Sequence, residues 1–244
     1  MKTTKVLQTN VSQTNINEVS NILNTTTGNR IAICNANTLV RSARNSHIAD
    51  LINNFTIRTP DGFPVAKALS ILTKKNIPRV DGYKVFLKTI KDGLDRNRSH
   101  YFFGSDKLTT ELMIKNLKKD YPEIQISGYI CPEFMESDQI VEKYADEIKK
   151  INADIVWVSL GFPKQEMFIN QVNKTMDINS NLVGIGGVFE WVAGTKKKAP
   201  EWLADIGFEW LLRLAQDPKR LYKRYLIDNT LFMVYFFRQL LFRR

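Results

Sequence analysis

Apolar runs separated by polar gaps divide this 244-residue chain into short buried-type strands and amphipathic helices. Residues 1–28 are polar and rich in Asn and Thr, with Val19, Ile22 and Leu23 marking one amphipathic helix. The run RIAIC at 30–34 reads as a buried strand, and 35–51 as a single helix with a capped start. A short strand at 56–59 leads into the turn Pro60-Asp61-Gly62, and 65–73 then reads as a helix.

The second half alternates more clearly. Strands are predicted at 101–103, 124–129, 155–160 (IVWVSL) and 182–185, and helices at 108–117, at 137–150 with Ser137 as cap, and at 165–173. Apolar strands alternating with helices predict a Rossmann-like α/β fold, a parallel sheet with helices on both faces. The expected division is an α/β catalytic domain over 1–200 and a helical appendage over 201–244.

Ligands of such sheets sit beyond the carboxyl ends of the strands. Three glycine-containing loops fall there: Gly104-Ser105, the run from Gly161 to Glu166, and Gly184-Ile185-Gly186-Gly187. Glycine admits a phosphate close to the backbone, and helix starts offer free N–H groups to it. Three such loops on one rim predict a nucleotide site. Neither a GxxxxGK[ST] loop nor a proper GxGxxG is present, which disfavours ATPase and NAD readings.

Composition narrows the setting. Cys34 and Cys131 form no CxxC and only two histidines occur, so neither a zinc site nor a disulfide framework is expected. The N-terminus, MKTTKVLQTN, lacks an apolar signal core, which fits a cytosolic protein. The net charge is +10 and concentrates in 218–244, where seven bases face the single acid Asp228. There Asp228-Asn229-Thr230 reads as a break with a new helix cap, and 231–242 as a helix apolar on most faces. That helix is too short for the roughly 30 Å of bilayer hydrocarbon. Aromatics flanked by bases suit a helix lying in an anionic membrane surface, with a core-docked helix as the competing reading. A nucleic-acid partner is not expected, because an apolar helix gains little from a phosphate backbone.

Asp61 follows a strand and stands at the predicted rim, where a carboxylate can take a proton from an attacking hydroxyl. Pro-Asp-Gly is also a favoured turn sequence, so the residues alone leave both roles open. Glu166 sits in the first turn of a helix, which negative charge stabilises, whereas Gln165 has no such structural reason and is the stronger ligand candidate. Lys164 faces either a phosphate or solvent. Glu190 and the run Lys196-Lys197-Lys198 follow the last glycine loop.

The segments TPDGFPVAKAL, PRVDGYKVF, YFFGS, ADIVWVSLGFPKQEMFI, GIGGVFEWVAGTKKKAPEWL and GFEWLLRLAQDPKRLYKRYL, in that order, resemble the WecG/TagA/CpsF family of bacterial glycosyltransferases. The resemblance covers most of 30–227. It implies an inverting, metal-independent enzyme without a cofactor. The donor is a UDP-sugar of the N-acetylmannosamine, N-acetylmannosaminuronic acid or glucose type. The acceptor is a sugar on undecaprenyl diphosphate, in the synthesis of teichoic acid or another surface polysaccharide. It makes Asp61 the catalytic base. Arg79, Lys164, Arg213, Arg220 and Arg224 become candidates for the leaving diphosphate. Asn35, Asn37, Thr38, Gly104, Ser105, Gly161, Gln165, Glu166, Gly186, Gly187 and Glu190 are the further substrate-binding candidates. Three positions depart from the family pattern: Lys84 and Glu190 stand where aspartate is usual, and Cys34 where threonine is common. The expected location is the inner face of the cell membrane, with attachment through 218–244 and homo-oligomerisation left open. The alternative is a non-catalytic nucleotide-binding module recruited to membranes.

Overall fold

The computed structural model describes residues 1–176, 178–205 and 207–242, with the side chains of Asp205 and Arg220 outside the description. The chain opens with an antiparallel hairpin, β1 (Thr3–Val6) and β2 (Thr9–Ser12), then α1 (Ile16–Thr25). There follow β3 (Arg30–Cys34), α2 (Ala36–Arg44), α3 (Ser46–Asn53), β4 (Ile57–Pro60), α4 (Phe63–Thr73) and α5 (Gly82–Gly93). Next come β5 (Ser99–Gly104), α6 (Lys107–Asp120), β6 (Gln125–Ile130), α7 (Ser137–Lys143) and α8 (Ala145–Lys149). The sheet is completed by β7 (Ile155–Ser159), α9 (Lys164–Thr175), β8 (Asn181–Gly184) and α10 (Val188–Ala193). The C-terminal helices are α11 (Glu201–Asp205), α12 (Glu209–Gln216), α13 (Pro218–Tyr222) and α14 (Asp228–Leu241), with a π-helical stretch Lys223–Ile227 before α14.

Six strands form one sheet in the order β4-β3-β8-β7-β5-β6, and every pairing is parallel. Alternation along the strands feeds two cores. Ile155 and Trp157 of β7 pack with Ile31, Phe102 and Val183 on the face covered by α1, α5, α6 and α10. Val156 and Val158 point the other way, with Ala32, Cys34, Phe103 and Leu182, beneath α2, α4, α7 and α9. Both faces are therefore apolar, which is why the strands read as nearly continuous hydrophobic runs. Arg58 of β4 is buried and donates to the carbonyls of Asn10, Asn53 and Phe55, fastening the hairpin to the sheet edge.

Three expectations are corrected. Residues 35–51 form two helices, because Asn45 is extended (φ −144°, ψ 113°) and its side chain accepts the Ile48 N–H at 3.3 Å, starting α3 afresh. Residues 137–150 likewise divide at Tyr144, and the cap is Glu136, in a reciprocal capping box with Gln139, rather than Ser137. Residues 228–230 are no break, because helical backbone runs from Lys223 into α14. Instead of capping, the Asp228 carboxylate accepts the Asn37 amide at 2.5 Å.

The C-terminal helix is not detached. Phe232 and Phe236, both buried with near-parallel rings, join the core beneath α2. Gln239 clasps the hairpin, accepting the Leu7 N–H at 2.8 Å and donating to the Lys5 carbonyl at 3.0 Å. Its outer face remains apolar and exposed, with Met233, Val234, Phe237, Leu241 and Phe242. Among the described residues no helix is long and apolar enough to cross a membrane.

Candidate active site

Parallel pairing puts the carboxyl ends of all six strands, and hence the glycine loops and Asp61, on one edge of the sheet. At the β4 end, the Asp61 N–H donates to the Cys34 carbonyl at 2.9 Å and to the Thr59 carbonyl at 3.0 Å. Those bonds fix the turn, so the carboxylate projects beyond the sheet. Gly62 then caps α4.

A cavity of about 120 Å³ opens over Asp61. Asn35 and Asn37 contribute from the start of α2, and Arg79 from the segment before α5. The opposite wall comes from the C-terminal helices: Glu209, Trp210, Arg213, Arg224, Tyr225 and Asn229. Gly207 closes one corner, at φ 86°, where a Cβ would stand 3.1 Å from the Phe63 ring. A side chain there would be both strained and crowded.

Charge is dense around Asp61. Glu209 accepts Arg79 at 2.8 Å and Arg213 at 2.7 Å, and Arg79 also reaches Asp81 at 3.1 Å. Asp81 additionally caps α5 by accepting the Lys84 N–H. Burial, with Asp81 and Glu209 nearby, pushes the Asp61 carboxyl up to about 6, against the opposing pull of Arg213 and Arg79. A carboxylate so poised is ionised at neutral pH yet basic enough to accept a proton. Arg213 also lies 4.1 Å from the Trp191 ring centre, and Trp191 meets Tyr83 edge-on, so α12 is stapled to α10 and α5.

Asn35, Asn37, Asp61, Arg79, Arg213 and Arg224 thus meet in one cavity. Thr38 is buried and makes its contacts with the Asn35 cap. Lys164 turns away to the Met135 carbonyl at 2.6 Å and lies 4.1 Å from the Phe134 ring centre. Gln165 is spent internally: it accepts the Gly186 N–H at 3.0 Å and donates to Glu166 at 2.9 Å. Glu166 is buried with one carboxylate oxygen unpartnered, and burial raises it to about 7 despite Gln165, Arg224 and Arg41. Gly104 lets β5 approach β7, since a Cβ would stand 2.5 Å from the Ser159 carbonyl oxygen, and the Ser105 N–H donates to that same oxygen. Around Gly161 and Gly186 the space a Cβ would enter is open, whereas at Gly187 it meets Glu190. Glu190 pairs with Lys196 at 2.6 Å, and Lys84 pairs with Glu201 of α11. The side chain of Arg220 lies outside the described residues.

Sequence reasoning missed Asp81, Glu209, Trp210 and Tyr225. Asp81 and Glu209 stood within quoted motifs, PRVDGYKVF and GFEWLLRLAQDPKRLYKRYL, but only the fold shows that they share Arg79. Among the described residues no cluster of three His, Cys, Asp or Glu side chains suited to a metal ion occurs.

Fold and cavity define an α/β protein with a poised carboxylate beside paired arginines at the carboxyl edge of a parallel sheet. Residues 4–244 match the model of the glycosyl transferase WecG/TagA/CpsF family, and the chain belongs to that family. Similar proteins include two from Bacillus, each named N-acetylglucosaminyldiphosphoundecaprenol N-acetyl-beta-D-mannosaminyltransferase. The Bacillus spizizenii protein is 31% identical over 66% of this chain and 61% of its own length. The Bacillus subtilis protein is 28% identical over 70% of this chain and 65% of its own length. The match therefore spans less than two thirds of either Bacillus relative. A Staphylococcus aureus protein of the same name is 29% identical over 79% of this chain and 75% of its own length.

Proposed function

We propose that this chain transfers a sugar of the N-acetylmannosamine type from a UDP-sugar to N-acetylglucosaminyl-diphosphoundecaprenol, with inversion at the anomeric carbon. The observation that carries the reading is the raised Asp61 carboxyl in a cavity that also holds Arg79, Arg213 and Arg224. The relatives' names supply the sugar and the acceptor.

In this reading Asp61 takes the proton of the acceptor hydroxyl. The freed oxygen attacks the anomeric carbon from the face opposite the diphosphate, and UDP leaves with the bonding electron pair. Guanidinium groups stabilise the charge on the departing phosphate. The cavity is small beside typical ligand sites of roughly 300–1,000 Å³. It accommodates the reacting centre, and the rest of the donor runs along the rim, where Gly161 and Gly186 leave open space. Gln165 then acts indirectly, by setting the Gly186 loop.

The reading also places the protein on the inner face of the membrane. The exposed apolar face of α14, flanked by the exposed bases Lys219, Lys223 and Arg238, suits the lipid interface, and the lipid acceptor resides there.

The test is to incubate the full chain on anionic vesicles with UDP-N-acetylmannosamine and a synthetic N-acetylglucosaminyl polyprenyl diphosphate, and to weigh the product. Addition of one N-acetylhexosamine that persists in EDTA and disappears in Asp61→Asn supports it. Folded protein that yields no product, or an Asp61→Asn variant of full activity, contradicts it.

A further inference from the structure

Glu209 holds both arginines nearest the candidate base. One carboxylate oxygen takes Arg79 at 2.8 Å and the other takes Arg213 at 2.7 Å, in a pocket where all three side chains are mostly shielded. Burial pushes the Glu209 carboxyl up, but Arg213 and Arg79 outweigh it and hold the group below its ordinary value, so it is ionised at neutral pH. Asp81 takes a further N–H of Arg79. Two guanidinium groups thus already face three carboxylates: Asp61, Asp81 and Glu209.

A diphosphate adds two or more negative charges to that arrangement, and even with Arg224 counted the carboxylates and phosphates outnumber the guanidinium groups, so displacing one carboxylate favours its binding. Asp81 is committed to capping α5, and Asp61 is needed ionised. Glu209 has only Arg79 and Arg213 as hydrogen-bond or ion-pair partners among those described, and it sits at the first residue of α12 rather than on the sheet edge. Arg213 also keeps a buried Nε–H without a partner, a donor suited to a larger anion than one carboxylate.

We propose that Glu209 is a built-in placeholder for the donor diphosphate. Donor binding exchanges Glu209 for phosphate oxygens on Arg79 and Arg213, and Glu209 reclaims the two arginines as UDP departs. Between turnovers the carboxylate keeps the arginines neutralised and aimed, and it lowers the affinity for spent UDP. This rests on the preceding assignment of a UDP-sugar donor to the cavity.

The experiment is calorimetric titration of UDP into the full chain and into Glu209→Gln, Glu209→Asp, Arg79→Gln and Arg213→Gln. Measurable binding to the unchanged chain, weakened in both arginine variants, establishes the donor site itself; its absence sinks that assignment and this proposal with it. Given the site, Glu209→Gln binds UDP roughly three- to tenfold more tightly, because the competing charge is gone. Turnover in that variant shows lower kcat together with lower KM, as product release slows. Glu209→Asp, one methylene shorter, moves UDP affinity the same way by less, and covers the case in which the glutamine variant does not fold. Equal or weaker UDP binding in the folded Glu209 variants, with the arginine variants impaired, overturns the placeholder role while leaving the donor site intact.

Discussion

The side-chain amide of Gln165 accepts the N–H of Gly186 at 3.0 Å, so the start of α9 sets the conformation of the loop after β8. The other end of the same amide holds the buried Glu166 carboxylate at 2.9 Å. Gln165→Ala leaves both a backbone donor and a carboxylate without that partner. The expected cost is about 1–3 kcal/mol, read as a lower midpoint in urea unfolding with an unchanged slope. Gln165→Glu should be worse than its volume suggests, because it sets a second carboxyl against Glu166. Wild-type stability in both variants would remove the network from any account of the loop.

Asp61 should set the acid limb of the rate profile. With its carboxyl near 6, kcat/KM rises as pH passes through about 6 and levels off above 7. Arg79→Gln removes a positive neighbour and moves the limb to higher pH. Glu166, near 7 and away from the cavity lining, gives a control: Glu166→Gln leaves the limb near 6. A limb that stays in place in Arg79→Gln would separate it from Asp61.

The same carboxyl carries a stability cost. Its folded value of about 6 lies above its ordinary 3.8, so folding favours the protonated form. The linked stability is present below about pH 4 and lost as pH rises through 6. Asp61→Asn, which mimics the neutral acid, should therefore be more stable than the parent at pH 8, by roughly 1–3 kcal/mol after allowing for partial exposure. The gain shrinks to nothing near pH 4. Thermal unfolding at the two pH values checks this, and an asparagine variant less stable at pH 8 refutes it.

Much of this was legible in the sequence because local signals and tertiary demands agreed. The run at 30–34 is a strand in the structure with the same ends, since both neighbours and both faces are occupied. Asp61 was legible as a turn residue, its cavity neighbour Arg79 lay in the motif PRVDGYKVF, and Asn35 and Asn37 followed the strand at 30–34. Helix α5 was not, and neither was the hairpin β1–β2, whose polar residues gain their place by packing on the sheet edge through Arg58. Helix interruptions at Asn45 and Tyr144 escaped because apolar periodicity continues across them. The Gln165–Gly186 and Arg79–Glu209 contacts join residues 21 and 130 positions apart, beyond the reach of any local pattern.

His100 provides an acid-sensitive point far from the rim. It is buried, its Nδ1 accepts the Trp157 indole N–H at 3.1 Å, and the two rings stack. Burial lowers the imidazole from 6.5 to about 4, with Asp154 opposing only in part. Its folded value lies below its unfolded one, so the stability it contributes is complete above about pH 6.5 and is lost as pH falls through 4. Urea midpoints should decline across that window, and His100→Phe should flatten the decline even if it lowers the starting value by breaking the bond to Trp157. An equally steep decline in that variant would assign acid sensitivity elsewhere.

Helix α14 separates two roles by face. Phe232 and Phe236 are buried against α2, so either change to Ala should cost about 3–5 kcal/mol. Phe237, Leu241 and Phe242 are exposed, so Phe237→Glu should leave the unfolding midpoint within roughly 0.5 kcal/mol. If the outer face lies in the lipid interface, the same Phe237→Glu sharply reduces sedimentation with anionic vesicles, because it removes buried apolar area and adds a like charge to the surface. Raising salt should weaken binding of the parent only partly, since the apolar contribution is not screened. Vesicle binding unchanged by Phe237→Glu, yet abolished by high salt, would mean that the basic residues alone bring the protein to the membrane.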